Sequence, residues 1–536
     1  MFQKQSRQKL YRFLFVMILI GYSFWCENVV LHPDYHSLKY WLIKFTFLLF
    51  VIWFVNVSYN YFCINCQSWN KYKKKHLSLL FMMIISANLV VLVLIYPGMW
   101  GGDELWLLPS VRDFNIGSVQ HWIVAIWYIW MLMIIPCPTG IILSVILLNV
   151  SVIMLVAAVI YEKIKHKYLI FLILLPSCSF QVLLFNEYPL RCSVYASIEI
   201  LLFLSLRRLF KETTRQFDFV KISFLLVLLS TLRSEGIYYM LIGAAFYLIL
   251  YKKNIFTPVF LSVSIILTSF GFFGVNMLQR RLTYQNYDHN TITAVIDPIT
   301  DMIRNEAGKC GGGWKENNLL QKINETMSVD IILNSESSGT ALMWMYYSDF
   351  FIDGKPEIHP GFWDAYTTLM ANNLDVFFKN RWQTFIKTQN NTVYTQAQIS
   401  ESLWSNEGIS SPPTMLNLDI SGFQPLNYDI FAKTLTFMTF NWENSSILKL
   451  IRIICFSLLI PFTGILFSLF KLCKEKNHYG IVVLLSVLSK IPLIWMTMPG
   501  EAFMYYYPVY YIGIFTCTIY LITELDRRYQ KRIKKS

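Results

Sequence analysis

Residues 77–96 read LSLLFMMIISANLVVLVLIY, a run of twenty residues with no charged side chain. A helix rises about 1.5 Å per residue, so a run of this length crosses the hydrocarbon core of a bilayer, which is about 30 Å thick. Comparable runs follow at 140–160, 255–278 and 447–470. The sequence therefore predicts a mainly α-helical, polytopic membrane protein.

Charge is distributed unevenly around these runs. The 536-residue chain is 55% hydrophobic and 15% charged, and it carries a net charge of +13. Residues 279–446 hold 11 Lys/Arg and 18 Asp/Glu, a net −7, which leaves +20 on the remainder. The basic residues form short clusters between apolar runs rather than one groove-sized patch, which argues against nucleic acid as a partner. Membrane lipids are the expected surroundings.

The basic clusters predict the membrane topology, because Lys and Arg concentrate in cytoplasmic loops. Twelve spans place every cluster inside and both termini in the cytoplasm, with the cell (cytoplasmic) membrane as the location. The predicted spans are 10–26, 40–62, 77–96, 139–160, 168–185, 190–206, 219–232, 237–251, 255–278, 447–470, 479–497 and 505–523. We interpret 121–135 as a helix on the outer membrane face, and 222–250 as two short helices joined by an outward turn.

This topology divides the chain into four parts. They are an N-terminal two-helix extension (1–76), a transmembrane core (77–278) with its first outward loop (97–138), an extracytoplasmic insert (279–446), and the C-terminal membrane helices with a basic cytoplasmic tail (447–536). The insert is too long to lack structure of its own. We expect it to be a small mixed α/β domain with helices at 360–378 and 376–387.

Asp103 and Glu104 are the leading candidates for catalysis. They lie in YPGMWGGDELWLL (96–108), directly after a predicted span and among tryptophans and leucines that favour lipid or protein surroundings. Carboxylates in such a setting are costly unless paired or functional, and partial burial raises a carboxyl pKa towards the range of a general base. The alternatives are solvated loop acids or an N-terminal helix cap. Adjacent helical residues diverge by about 100°, so we expect one of the two, Asp103, to point into a site.

Cationic and aromatic side chains near the outward ends are candidates for substrate binding. Lys490 lies inside an apolar span, and it either binds a lipid phosphate or forms a structural ion pair. Arg233 either pairs with Glu235 or reaches a phosphate, and Arg191 is a further candidate cation. Tyr506, within a run of three tyrosines, belongs either to an interfacial aromatic belt or to a sugar-stacking site.

Four motifs resemble the GT-C superfamily of polytopic glycosyltransferases, which use polyprenyl-phosphate-linked sugars. They are the YPG–W–DE pattern of 96–104, His121 before the surface helix (without the Pro that often follows it), the RSEG of 233–236 and the tyrosine-rich PGEAFMYYYPVYY of 499–511. The resemblance covers about 77–250 and the last hundred residues. It implies that Asp103, or Glu104 beside it, acts as catalytic base or metal ligand, and that His121 contributes to substrate binding.

The expected function is inverting glycosyl transfer. An acceptor hydroxyl on an envelope polysaccharide or lipid attacks the anomeric carbon of a polyprenyl-phosphate-linked sugar, and Asp103 takes the proton. We expect base catalysis without a metal, because one acidic pair is a sparse set of oxygen ligands. A divalent cation, Mg²⁺ or Mn²⁺, bound by Asp103 or Glu104 is the alternative. Two other functions stay open: a polysaccharide polymerase or ligase acting on lipid-linked oligosaccharide, and a flippase or transporter without chemistry.

Overall fold

The structure is a computed structural model. It describes residues 2–59, 69–117, 121–189, 191–211, 218–233, 236, 238–252, 257–282, 288–310, 313–352, 354, 357–388, 425–440, 446–498 and 503–533. Within these residues the chain is mainly helical, and the only pairing of β type is an isolated antiparallel bridge between Met327 and Phe351. The mainly helical fold that the apolar runs predict is thus confirmed.

The helices follow the apolar runs along the chain. The first part comprises α1 (Phe2–Val30), α2 (Leu38–Tyr59), α3 (Lys71–Leu94), α4 (Gly102–Arg112), α5 (Trp122–Ile134), α6 (Thr139–Lys163), α7 (Leu174–Ser177), α8 (Phe180–Asn186), α9 (Arg191–Lys211), α10 (Asp218–Leu232), α11 (Tyr238–Lys252) and α12 (Pro258–Leu282). The insert comprises α13 (Asp288–Lys309), α14 (Asn318–Asn324), α15 (Val329–Leu333), α16 (Gly339–Met345), α17 (Tyr347–Phe350), α18 (Phe362–Asn372) and α19 (374–388). The last part comprises α20 (Tyr428–Met438), α21 (Ser446–Phe456), α22 (Leu459–Lys474), α23 (His478–Leu488), α24 (Lys490–Thr497) and α25 (Tyr507–Ile533).

Seven helical segments among the described residues are long and apolar enough to cross a membrane. They are Leu10–Val30, Leu38–Asn56, Lys71–Leu94, Thr139–Lys163, Pro258–Leu282, His478–Thr497 and Tyr507–Ile533. Two bent helix pairs, in 167–186 and 450–474, raise the number to nine if each pair is one span. The twelve predicted spans are therefore not confirmed. The other three coincide with α9, which carries Arg191 and Glu199, and with α10 and α11, which have only 15 residues each.

The turn between α10 and α11 has the hairpin form expected for 222–250. The two helices pack against each other. Gly236 approaches the end of α10 so closely that a Cβ on it would overlap the backbone oxygen of Leu229. A chain that folds back onto the helix it has just left forms two antiparallel helices rather than one long span. The interpretation of this stretch as two short helices is consistent with that geometry.

Two of the lysine clusters, 71–75 and 163–167, lie at one end of the bundle, beside the last turns of the C-terminal helix. Backbone N–H groups of the 163–167 cluster donate to Asp526 at 3.0 and 2.8 Å, and Lys73 of the 71–75 cluster pairs with Glu162 at 2.7 Å. We call this the basic end. The predicted topology requires these clusters to share one side, and the contacts agree with that requirement. The side of the membrane that the basic end faces stays a prediction.

The opposite end is formed by the loops that contain the sequence motifs. Met99 N–H donates to the Glu187 carbonyl at 2.9 Å, and Arg233 donates to the Met504 carbonyl at 3.1 Å. We call this the loop end. It brings together the end of α3, the turn between α8 and α9, the turn after α10, and the segment before α25.

The insert has a hydrophobic core of its own, separate from that of the membrane helices. Helices α18 and α19 meet at Asn373, close to the two helices expected at 360–378 and 376–387. The described part of the insert contains no strand besides the isolated bridge, so the expected mixed α/β fold is not confirmed. The fully buried core side chains include Ile292, Ile296, Ile299, Met302, Ile303, Leu320, Ile323, Phe350, Phe362 and Leu369.

The N-terminal extension packs against the first loop rather than standing apart from it. Phe50 stacks on Trp130 of α5 with ring centroids 4.8 Å apart. The Arg112 guanidinium donates to the Val30 carbonyl at 3.2 Å, and His32 N–H donates to the Arg112 carbonyl at 2.7 Å. The extension therefore supports α4 and α5, the two helices that carry the first-loop candidates.

Candidate functional site

Backbone contacts hold the first loop on the turn between α8 and α9. Gly98 has a φ of +104°, a conformation that residues with side chains rarely adopt. A Cβ at this position would lie 2.9 Å from the Glu187 carbonyl oxygen and would overlap the Ile142 side chain. The Met99 N–H donates to that same carbonyl at 2.9 Å. Gly98 thus allows the loop to pass directly over the turn.

Glu104 is buried, with 1% of its surface exposed. It lies in the first turn of α4, where its Oε2 accepts a hydrogen bond from the Tyr188 hydroxyl at 3.1 Å. A Cβ on Gly101 would lie 2.8 Å from the same Oε2 and would overlap the Tyr188 hydroxyl. The backbone of Asp103 belongs to the same turn, but its side chain lies outside the described residues. The expectation that Asp103 points into a site stays a prediction.

His121 caps the N-terminus of α5 and is buried. Its Nδ1 accepts a hydrogen bond from the Ile123 N–H at 3.3 Å, so Nδ1 carries no proton and Nε2 carries the N–H. Burial, together with the charge of Arg191, lowers the pKa of His121 to about 3. Nε2 has no hydrogen-bond partner in the described part of the chain. His121 is therefore a neutral imidazole with an unused N–H donor.

Glu187 is a buried carboxyl that the sequence reasoning missed. It follows α8, outside the candidate spans, and none of its surface is exposed. Neither carboxyl oxygen has a hydrogen-bond partner among the described residues. Burial raises the pKa of Glu187 well above its ordinary value of 4.5, because the protein interior disfavours the charged form. Glu187 is therefore a buried acid whose neutral form is favoured and whose carboxyl finds no hydrogen-bond partner in the described part of the chain, which is costly unless a ligand or water supplies one.

These side chains belong to one region of the loop end. Tyr188, which binds Glu104, follows Glu187 directly. The next residue, Pro189, accepts a hydrogen bond through its carbonyl from the Tyr128 hydroxyl of α5 at 2.8 Å. Arg191 begins α9, is half-buried, and acts electrostatically on the His121 imidazole. We call this group, consisting of Glu104, His121, Glu187, Tyr188 and Arg191, the loop-end site.

A buried amide network fixes the turn that carries the site. Asn186 donates to the side-chain oxygen of Asn88 at 2.8 Å, and Asn149 donates to that of Asn186 at 2.5 Å. Ser197 donates in turn to Asn149. Asn88 belongs to the apolar run of 77–96, so this run contributes a polar anchor as well as a membrane span. The network ties α3, α6 and α9 to the end of α8.

Lys490 lies in an ion pair within the membrane region. Its Nζ is 2.5 and 2.6 Å from the two carboxylate oxygens of Glu199, and the two side chains are 1% and 0% exposed. The Tyr239 hydroxyl also donates to Glu199. Of the two roles that the sequence allowed, this geometry favours the structural ion pair over phosphate binding, because a bidentate carboxylate already compensates the ammonium charge.

Arg233 and Tyr506 are both buried at the loop end. The Arg233 guanidinium donates to the Cys192 sulfur at 2.5 Å and to the Met504 carbonyl at 3.1 Å. Glu235, its expected partner, lies outside the described residues. Tyr506 is fully buried, and its hydroxyl has no partner in the described part of the chain. Full burial within the protein distinguishes Tyr506 from an exposed interfacial belt residue.

The structure brings together some of the predicted residues and not others. Glu104, His121 and Arg191 share the loop-end site, whereas Lys490 pairs with Glu199 elsewhere. Among the described residues there is no group of three or more His, Cys, Asp or Glu side chains that could hold a metal. The side chains of Asp103 and Glu235 lie outside the described residues, so the divalent cation stays an open alternative.

Comparisons with known proteins add no further assignment. No family model matches the chain, and neither the curated proteins nor the solved structures include a match.

Proposed function

We propose that the protein is an inverting membrane glycosyltransferase that moves a sugar from a polyprenyl phosphate to an envelope glycan or lipid. The observation that carries the proposal is Glu104, a buried carboxyl held by a tyrosine hydroxyl directly after a candidate membrane span. A proton acceptor at the membrane surface can contact both an acceptor hydroxyl that arrives from water and the phosphate of a lipid-linked donor. The resemblance of 96–104 to the GT-C superfamily points to the same chemistry.

The carboxyl pair of the first loop serves as the base in this proposal. Asp103, or Glu104 in its place, takes the proton of the acceptor hydroxyl as the oxygen bonds to the anomeric carbon. The bond between that carbon and the phosphate oxygen breaks, and its electron pair leaves with the polyprenyl phosphate. The Tyr188 hydroxyl fixes the orientation of Glu104 through the 3.1 Å hydrogen bond. General base catalysis of this kind contributes roughly 10²–10⁴-fold to a rate.

The leaving phosphate is held by the cationic side of the loop-end site. Arg191 begins a 21-residue helix, whose N-terminal N–H groups favour an anion. Its half-buried guanidinium acts electrostatically on the His121 imidazole. His121 offers the unused Nε2–H beside it. We assign the phosphate to Arg191 and His121 rather than to Lys490, because Glu199 already pairs with Lys490.

Substitution of the first-loop acids tests this assignment. We expect D103N or E104Q to lower the rate of sugar transfer at least about 100-fold while the protein stays folded. Asp113 supplies the matched control, because it is an exposed acid of the same loop that pairs with His32 at 2.9 Å. D113N should leave the transfer rate unchanged. Full activity of both D103N and E104Q would show that this loop is not the catalytic centre.

A further inference from the structure

Arg381 is a buried cation at the junction between the insert and the membrane helices. It lies on α19, and none of its surface is exposed. One guanidinium nitrogen donates to the Met498 carbonyl at 2.7 Å, while Nε and the other nitrogen donate to the Asn380 side chain at 3.3 and 3.0 Å. A guanidinium has five N–H groups. Two of them therefore have no partner among the described residues.

No described carboxylate forms a salt bridge with Arg381. Asp297 and Asp301 act on its charge only from beyond salt-bridge distance. Asp297 Oδ1 accepts two hydrogen bonds from Thr340, at 2.7 and 2.9 Å. Asp301 accepts from Arg304 at 3.2 Å and from Asn380 at 2.7 Å. A buried guanidinium without a direct counter-ion is costly, which makes the position favourable for an incoming anion.

Tyr506 supplies a further donor on the same side of α19. Its ring lies edge-on to Phe385, with centroids 5.3 Å apart. Phe385 is four residues after Arg381, so the two share one helix face. The Tyr506 hydroxyl is fully buried and unpartnered in the described part of the chain, and it lies within electrostatic range of Arg381. Two N–H groups of Arg381 and the O–H of Tyr506 are thus buried donors with no acceptor among the described residues.

We propose that Arg381 and Tyr506 form an oxyanion site that binds a phosphate or carboxylate group of the acceptor. One oxyanion has enough lone pairs to accept all three hydrogen bonds, and charge-assisted bonds to guanidinium are among the strongest available. Full burial limits the ligand to a small terminal group. The assignment of this anion to the acceptor rests on the proposed function. The binding of an oxyanion by Arg381 and Tyr506 is independent of that function. The two assignments can therefore fail separately.

The test measures binding without turnover. Full-length protein in dodecyl maltoside, which contains no phosphate, is titrated by calorimetry with decyl phosphate and with glycerol 3-phosphate. We expect at least one probe to bind, and we expect R381K and Y506F each to weaken it, by about tenfold or more for R381K. Binding of decyl phosphate alone identifies a membrane-lipid headgroup as the source. Binding of both probes identifies a phosphate group that need not be attached to a lipid.

Arg304 provides the matched control. It belongs to the same insert, but its donors are occupied by Asp301 and by the carbonyls of Ile332, Ser335 and Ser337. R304K should bind both probes as the wild type does. If neither probe binds the folded wild type, or if R381K and Y506F bind as the wild type does, the oxyanion site is refuted even where sugar transfer persists. If the wild type binds a probe through Arg381 but transfers no sugar, the proposed function is overturned and the oxyanion site is not.

Discussion

Replacing Lys490 by methionine should destabilise the protein without removing a substrate contact. The substitution keeps the length and apolar stem of the side chain and removes only the ammonium charge. That charge lies 2.5 and 2.6 Å from the two oxygens of Glu199, and both side chains are almost fully buried. K490M therefore leaves a carboxylate in the membrane region with the Tyr239 hydroxyl as its main remaining donor.

The size of the effect follows from the burial of the pair. Removing one partner of a buried ion pair costs about 3–5 kcal/mol, whereas replacing both partners by neutral groups of similar volume is often close to neutral. We therefore expect K490M to lower the free energy of unfolding by about 3–5 kcal/mol. The double variant E199Q/K490M should recover most of that loss, because glutamine still accepts from Tyr239.

The assay is a double-mutant cycle in detergent. The wild type, the two single variants and the double variant are heated, and the loss of the folded species is followed by size-exclusion chromatography. Sugar transfer is measured on the same preparations at a temperature where all four are folded. The pair Lys44–Glu27, which links α1 and α2 at 2.7 Å and belongs to no candidate site, gives a matched cycle.

Two results would refute this reasoning. A double variant as unstable as K490M would show that the unpaired, buried charge on Glu199 is not the source of the loss. A K490M variant with wild-type stability but without sugar transfer would show that Lys490 contacts the substrate. The structural interpretation of Lys490 would then be wrong.

Three further predictions concern the loop-end site and the topology. Gly101→Ala should lower the free energy of unfolding by about 1–3 kcal/mol and slow sugar transfer, because the added methyl group overlaps the Tyr188 hydroxyl. Gly274→Ala, whose methyl group would lie in open space, should change neither, and thermal unfolding and transfer assays of both variants check this. Burial raises the pKa of Glu187 well above 4.5, so the stability of the native state should fall as pH rises above about 4.5, and E187Q should become more stable than the wild type towards alkaline pH. Melting curves of both proteins between about pH 5 and 9 check this, and parallel curves would show that the carboxyl is ionised throughout. Thr367→Cys, on the exposed face of α18, should react with an impermeant thiol reagent added outside intact cells, and protection from it would reverse the predicted orientation.

The apolar runs were sufficient to predict the helical class and most of the helices. Composition could not settle the number of spans, because α10 and α11 are short and α9 carries Glu199 in its middle. Whether such a helix crosses the membrane depends on the partner of its charge. That partner, Lys490, is 291 residues away in sequence. The fold of the insert was harder to predict than the spans, because its helices are short and lack a long periodic pattern. Their packing depends on contacts between helices that are distant in sequence.

Residues of the candidate site could be predicted from the sequence only where a charged side chain occurs next to or within an apolar run. Glu104 stood out as an acid beside a span. Glu187 did not, because its significance is complete burial without a partner, which no sequence pattern reports. Glu199 could have been found, since a lone acid in an apolar helix indicates a partner or a function. Arg381 gave no signal, because its burial depends on docking of the insert against Met498.

The most direct test of the central claim is mass analysis of the envelope glycans of cells with and without the protein. Glycosyl transfer at the first-loop acids predicts that cells without the protein lack one sugar in an otherwise intact glycan. D103N or E104Q should reproduce the loss, whereas D113N should restore the sugar. Glycan chains that are shortened rather than stripped of one sugar would indicate a polymerase. Unchanged glycans in cells without the protein would contradict the transferase assignment.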